Sequence, residues 1–137
     1  MTIKPKIGVV SCSGECCSLG TISRIATRKV LEDLKPRETV TICLPLFLAG
    51  DAGERNFARK FPTVAVDGCY KLCAKKAIEK YSAKIASTIN VEALLDEWEL
   101  EPPVSRRELT MKDMEVVARV AQEISRHIDV LEDGFDD

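Results

Sequence analysis

Short apolar runs rich in β-branched residues alternate along this chain with segments of helical periodicity, and that alternation restricts the fold more than any other feature. Ile7 to Val10, Thr39 to Leu44 and Thr63 to Val66 read as strands, with a weaker fourth over Ala83 to Ile89. Thr21 stands as the cap of a first helix, whose apolar positions Ile22, Ile25, Ala26, Val30 and Leu31 keep helical spacing until Lys35-Pro36 ends it. Pro45, Gly50 and Gly53 mark a loop, and Asp51 caps a helix running through about Lys60. A helix beginning at Asp67-Gly68 carries Cys69, Cys73, Ala74, Ala77 and Ile78, and Asn90 caps another from Val91 to Trp98. Strand and helix alternating at about thirty residues per unit predict a parallel sheet with crossover helices. The expected class is α/β, a small Rossmann-like three-layer domain with four parallel strands.

That domain is expected to occupy residues 1–100, ending at the Pro102-Pro103 break. Residues 101–137 add a C-terminal helix, capped by Thr110, and an acidic tail packed on the same domain. The stripe Met114, Val117, Ala121, Ile124 and Ile128 steps by three and four. Packing on the sheet is its expected use, with a homodimer seam as the alternative, and Trp98 is expected beneath the helix. The end from Glu132 to Asp137 reads as frayed.

Composition removes several functions. The net charge is −2, with Lys and Arg interleaved among Glu and Asp, so no basic stripe for nucleic acid exists. Aromatics make up 5%, too few for base stacking. No apolar run approaches the ~20 residues of a membrane span. The start, Met1 to Lys6, leads directly into a strand without the apolar core of a signal peptide, so the expected location is cytoplasmic. Six cysteines in such a chain read as metal ligands, catalytic thiols or buried core rather than as disulfides.

The cysteines fall where the strands stop. Cys12 follows the first strand, Cys43 closes the second, Cys69 follows the third, and Cys73 lies one helical turn beyond it. A parallel sheet delivers every strand's carboxyl end to one edge, where open α/β folds build their ligand sites. Cys69 and Cys73, at i and i+4 on a helix, would point the same way. Four thiolates so gathered suit a closed zinc site, and equally an iron–sulfur cluster. The plainer alternative makes Cys43, Cys69 and Cys73 small buried hydrophobes, and a nearby variant places Cys16 or Cys17 in the shell and leaves Cys43 in the core.

At these residues the chain resembles a known family. Cys12-Ser13-Gly14, the isolated Cys43, and Val66-Asp67-Gly68-Cys69 followed by Cys73-Ala74-Lys75-Lys76 are similar to the DGC-domain family, over roughly residues 6 to 95. That family is described as zinc-binding on the strength of four cysteines, and the resemblance implies Cys12, Cys43, Cys69 and Cys73 as the ligands. Its biochemical role is undefined, so the resemblance implies a site rather than an activity. The chain departs from the pattern at Leu44-Pro45-Leu46-Phe47, where a smaller, glycine-containing stretch is expected, and at Cys16 and Cys17, which have no counterpart.

Cys16 and Cys17 lie in a loop leading into a helix, where a thiolate is a better nucleophile or ligand. They raise the alternative of a thiol-based redox enzyme or sulfur carrier. A phosphatase loop needs an arginine six positions past its nucleophile, but those positions hold Ser18, Ile22 and Ser23, and Arg24 is one place too far. The single histidine, His127, reads as a surface residue near a helix end, so no catalytic constellation is complete. Asp67 reads as a turn residue or a ligand-orienting carboxylate, and Lys75 and Lys76 as solvated helix surface. The expected function is an intracellular protein holding zinc through thiolates at the sheet edge, with an unidentified protein partner allowed.

Overall fold

The computed structural model describes residues 5–136, so residues 1–4 and Asp137 lie outside the described region. Four strands, β1 (Ile7–Ser11), β2 (Thr39–Val40), β3 (Thr63–Asp67) and β4 (Ser87–Asn90), form one parallel sheet in the order β2-β1-β3-β4. The central strands are buried on both faces, which is why they read as unbroken apolar runs.

Among the described residues, seven α-helices flank the sheet. Ile7, Val9, Val64 and Val66 look toward α1 (Ser18–Lys29), α6 (Val91–Glu97) and α7 (Met111–Asp133). Val10 and Ala65 look toward α2 (Leu44–Ala49), α4 (Phe57–Lys60) and α5 (Cys73–Tyr81), with α3 (Ala52–Arg55) joining α2 to α4. The result is the expected three-layer α/β fold. Among the described residues, no helix is long and apolar enough to cross a membrane.

Several expected boundaries move, each for a local reason. α1 begins at Ser18, not after Thr21, because Cys17 is its N-cap: the Gly20 N–H donates to Cys17 Sγ at 3.3 Å. The Thr21 hydroxyl instead donates to the Arg106 carbonyl at 2.5 Å, tying α1 to the segment before α7. α1 runs on into a π-helical stretch, Val30–Leu34, closed by Lys35 N–H donating to the Val30 carbonyl.

The second strand stops at Val40, short of Cys43, because Pro45 occupies the first turn of α2, where its fixed φ suits a helix. Leu44 and Phe47 are then one buried helical turn, not a strand end and a loop. Asp51 does cap α3, its carboxylate accepting the Glu54 N–H, but Asn56 separates α3 from α4. The fourth strand is shorter than expected, starting at Ser87.

The Asn90 and Thr110 caps form as expected. Asn90 accepts the Ala93 N–H at 2.8 Å, and Thr110 makes a reciprocal capping box with Asp113. The α7 stripe packs inward: Val117, Ala121, Ile124 and Ile128 are buried in the core shared with β1, β3 and α1, while Met114 is exposed. Trp98 packs against that core beneath α7, with the Arg119 guanidinium 4.1 Å from its ring centre. The acidic end is ordered further than expected: Glu132 and Asp133 complete α7, a short 3-10 turn spans Gly134–Asp136, and Phe135 rests on the core.

Candidate functional site

The sheet order makes the carboxyl end of β1 and β3 a switch point: from β1 the chain goes to β2 on one side, then crosses to β3 on the other. Open α/β folds bind ligands in the crevice such a reversal leaves. Cys12 sits there. Its N–H donates to the Val66 carbonyl at 3.0 Å, one rung beyond β1, and its half-buried Sγ accepts the Gly68 N–H at 3.4 Å. Ser23 Oγ, on α1, lies 3.2 Å from the same sulfur. Burial pushes the Cys12 thiol above its ordinary range; the bonds to Ser23 and Gly68 pull it back, and Asp67 and Cys17 push it up as negative neighbours.

Glycines let the loops around Cys12 close on one another. A Cβ on Gly68 would stand 2.5 Å from the Gly20 nitrogen, and one on Gly20 would stand 2.3 Å from Gly14 Cα. Gly14 itself has φ +66°, a left-handed conformation that favours glycine. The loop after β1, the first turn of α1 and the turn after β3 therefore meet backbone to backbone. Each of the three segments carries cysteine: Cys12 and Cys16 in the first, Cys17 at the head of α1, and Cys69 in the third.

The remaining sites differ from expectation in local structure. Cys43 does not end a strand. It is the exposed N-cap of α2, and its N–H donates to the Glu54 carboxylate at 3.2 Å. Cys69 and Cys73 do not share a helix face. Cys69 lies in a turn ahead of α5, Leu72 adopts φ 55°, and the helix begins only at Cys73. The cause is Asp67, whose buried carboxylate accepts the N–H groups of Ala74 at 2.7 Å and Lys75 at 3.1 Å and so fixes where the free amides of α5 begin. Burial raises the Asp67 carboxyl above its ordinary value, and the two amides and the lysines Lys75 and Lys76 partly offset that. Cys69 is half-buried, with its carbonyl accepting from Asn90 Nδ2 at 3.0 Å, whereas Cys73 and Cys16 are exposed. Asp67 and Asn90 thus hold the turn bearing Cys69 from both sides.

Among the described residues, all six cysteines are unpaired thiols, and no three Cys, His, Asp or Glu side chains stand together at metal-holding distance. The fold brings the thiol-bearing segments to one edge without drawing the sulfurs into a shell. The donor chemistry on that edge is uniformly soft, which suits zinc or a cluster rather than magnesium or calcium. His127 belongs elsewhere: half-buried on α7, its Nδ1 is 2.5 Å from Ser87 Oγ at the start of β4, the opposite end of that strand. A groove of about 610 Å³ beside Pro102 and Pro103 is lined by no cysteine. Sequence reasoning missed the glycine contacts, Ser23 and Glu54; only the Gly14 and Gly20 positions flanking the cysteine loop carried any signal.

These features define a parallel α/β domain whose switch point is ringed by thiol-bearing loops. The DGC domain model matches residues 8–97, from β1 to the end of α6, and the chain belongs to that family. Comparison with curated proteins and with solved structures found no match.

Proposed function

We propose that this protein binds a thiophilic metal, zinc in the first instance, through cysteine thiolates at the carboxyl edge of its sheet. The observation that carries the reading is the convergence at the switch point: separate loops bring Cys12, Cys17 and Cys69 to one edge, with Cys73 heading the adjoining helix. The ligand set expected from the sequence, Cys12, Cys43, Cys69 and Cys73, is the starting assignment.

Bound zinc would supply a closed, coordinatively saturated cross-link between loops, with no open position for water. The chain's own groups do the rest. Asp67 and Asn90 anchor the Cys69 turn, and the Gly68 amide donates to the Cys12 sulfur as outer-shell groups do in thiolate sites. Because the ligands come from separate loops, metal binding and the ordering of those loops are coupled.

The test is elemental analysis and an absorption spectrum of protein purified anaerobically under reduction. About one zinc per chain, with no visible band, is expected. A visible sulfide-to-iron band would replace zinc by an iron–sulfur cluster at this edge. Reduced protein that holds no metal after exposure to excess zinc would end the proposal.

A further inference from the structure

We propose that the groove beside Pro102 and Pro103 docks a peptide segment of a partner protein, one that carries lysine or arginine around an apolar side chain. The proposal is independent of the metal-binding reading.

The groove holds about 610 Å³, a volume typical of ligand sites. Its apolar lining includes Leu100, Leu109 and Val116, which also pack against the core. Four carboxylates line it, from Glu99, Glu101, Glu108 and Asp113, against one cation, Lys112; the neighbouring Arg106 and Arg107 do not line it. Asp113 is taken up by the α7 capping box. Glu99, Glu101 and Glu108 are exposed, and among the described residues no Lys or Arg pairs with them. Apolar surface under free carboxylates attracts an occupant that is both cationic and apolar, and repels an anionic one.

Glu99 adds an observation of its own. At the end of α6 the Glu99 N–H donates to the Asp96 carbonyl at 3.2 Å, and the Leu100 N–H donates to the Leu95 carbonyl at 2.9 Å. That pattern needs a left-handed residue at Glu99, where φ is 57°, and glycine ordinarily fills it. The chain instead holds a strained glutamate there, on the wall of the groove.

The walls are fixed by the fold. Ser105 Oγ accepts the N–H groups of Arg107 at 3.1 Å and Glu108 at 3.0 Å, and the Thr21 hydroxyl holds the Arg106 carbonyl. Pro102 and Pro103 stiffen the entry. A preformed groove loses little freedom on binding. Val104, also in the lining, is fully exposed, and Met111 at the start of α7 is 89% exposed. A chain passing through the groove would cover apolar surface that a small ligand leaves in water, which favours a peptide.

The test is selection of a phage-displayed library of random peptides against the full chain, with recovered sequences synthesised, labelled and titrated by fluorescence anisotropy. Recovered peptides should place two or more Lys or Arg around an aliphatic or aromatic residue. Raising salt from ~0.1 M to ~1 M, which shortens screening from ~10 Å to ~3 Å, should weaken binding. Glu101→Lys/Glu108→Lys should weaken it about tenfold or more, since each exposed ion pair is worth up to ~5-fold and reversal adds repulsion. Glu99→Gly should weaken binding by about 2–5-fold while raising the urea midpoint, because it removes the charge and the strain together. A purely structural Glu99 would move the midpoint alone. Circular dichroism checks that each variant is folded. The proposal is overturned if no peptide is recovered, if the recovered peptides lack basic residues, or if the charge variants bind at the parent's strength. Tetrabutylammonium binding without any peptide would assign a small ligand instead. Sedimentation showing a dimer that Glu101→Lys/Glu108→Lys dissolves would assign a second copy of the chain; either result also overturns it.

Discussion

Replacing Gly20 by alanine sets two effects of opposite sign against each other. Gly20 lies in the first turn of α1, and alanine in a helix is ordinarily about 0.5–1 kcal/mol more favourable than glycine. Here the new Cβ would stand 2.3 Å from Gly14 Cα, where ordinary contact begins at 3.4 Å. The segments must part by roughly 1 Å, and the atoms in the way are backbone that cannot rotate aside. Overpacking of this kind costs about 1–3 kcal/mol, and a backbone obstacle places it toward the upper end. The steric effect wins, for a net loss of about 1–2 kcal/mol. Gly53→Ala is the control: also helical, its Cβ would meet only Asp51 Oδ2, at 3.4 Å, so stability should rise by up to ~1 kcal/mol. Urea unfolding of reduced, metal-free protein, followed by far-ultraviolet circular dichroism, should move the two midpoints in opposite directions. A Gly20→Ala midpoint at or above the parent's would refute the close approach, and with it the convergence of the thiol-bearing loops.

Asp67→Ala strands the buried amide of Ala74 and the partly buried one of Lys75, an expected loss of about 2–4 kcal/mol; a thermal melt showing almost no change would contradict the capping role. Asp67 also sets a pH dependence. Its carboxyl titrates higher in the fold than its unfolded value of 3.8, so its contribution is fullest below that value and declines as pH rises through the folded one. The stability advantage of the parent over Asp67→Asn should therefore shrink between acidic and neutral pH, and a widening gap in urea midpoints would reverse the assigned sign. Asn90→Ala removes the α6 cap and the bond to the Cys69 carbonyl, costing about 1–2 kcal/mol and speeding amide exchange at Ala93. Thr110→Ala opens the α7 capping box for about 1 kcal/mol, read as faster exchange in the first turn of that helix.

The layers of the fold were legible in the sequence because strands buried on both faces must be apolar throughout and helices must repeat by three and four. Ile7 to Val10 and Thr63 to Val66 left little choice, and the Asn90 and Thr110 caps are local chemistry written in adjacent residues. The errors came where tertiary contacts decide. Thr39 to Leu44 satisfies a strand's appetite for β-branched and apolar residues, but Pro45 and the shared burial of Leu44 and Phe47 turn the chain from Leu44 onward into a helix. Asp67 was readable as a turn residue, yet its reach across the Cys69 turn to α5 depends on folded backbone, and that reach separates Cys69 from Cys73. The common edge for the cysteines followed from strand direction alone. Which thiols share a junction did not, because Gly14, Gly20 and Gly68 meet only after the sheet has formed.

The position of α7 in the chain has a consequence for synthesis. Residues 8–97 match the family model, yet Val116, Val117, Val120, Ala121, Ile124 and Ile128 from α7 fill one face of the same core. On the ribosome, the strands and α1 emerge first, with Ile22, Ala26 and Val30 still facing water, and the face closes only when α7 has left the exit tunnel. Contacts between α1 and α7 span so much sequence that their loop must close before burial rewards it, which slows folding and prolongs exposure of apolar surface. During that interval the nascent chain would offer a holdase chaperone a ready apolar face, and its thiols would be open to oxidation before the loops that carry them have docked.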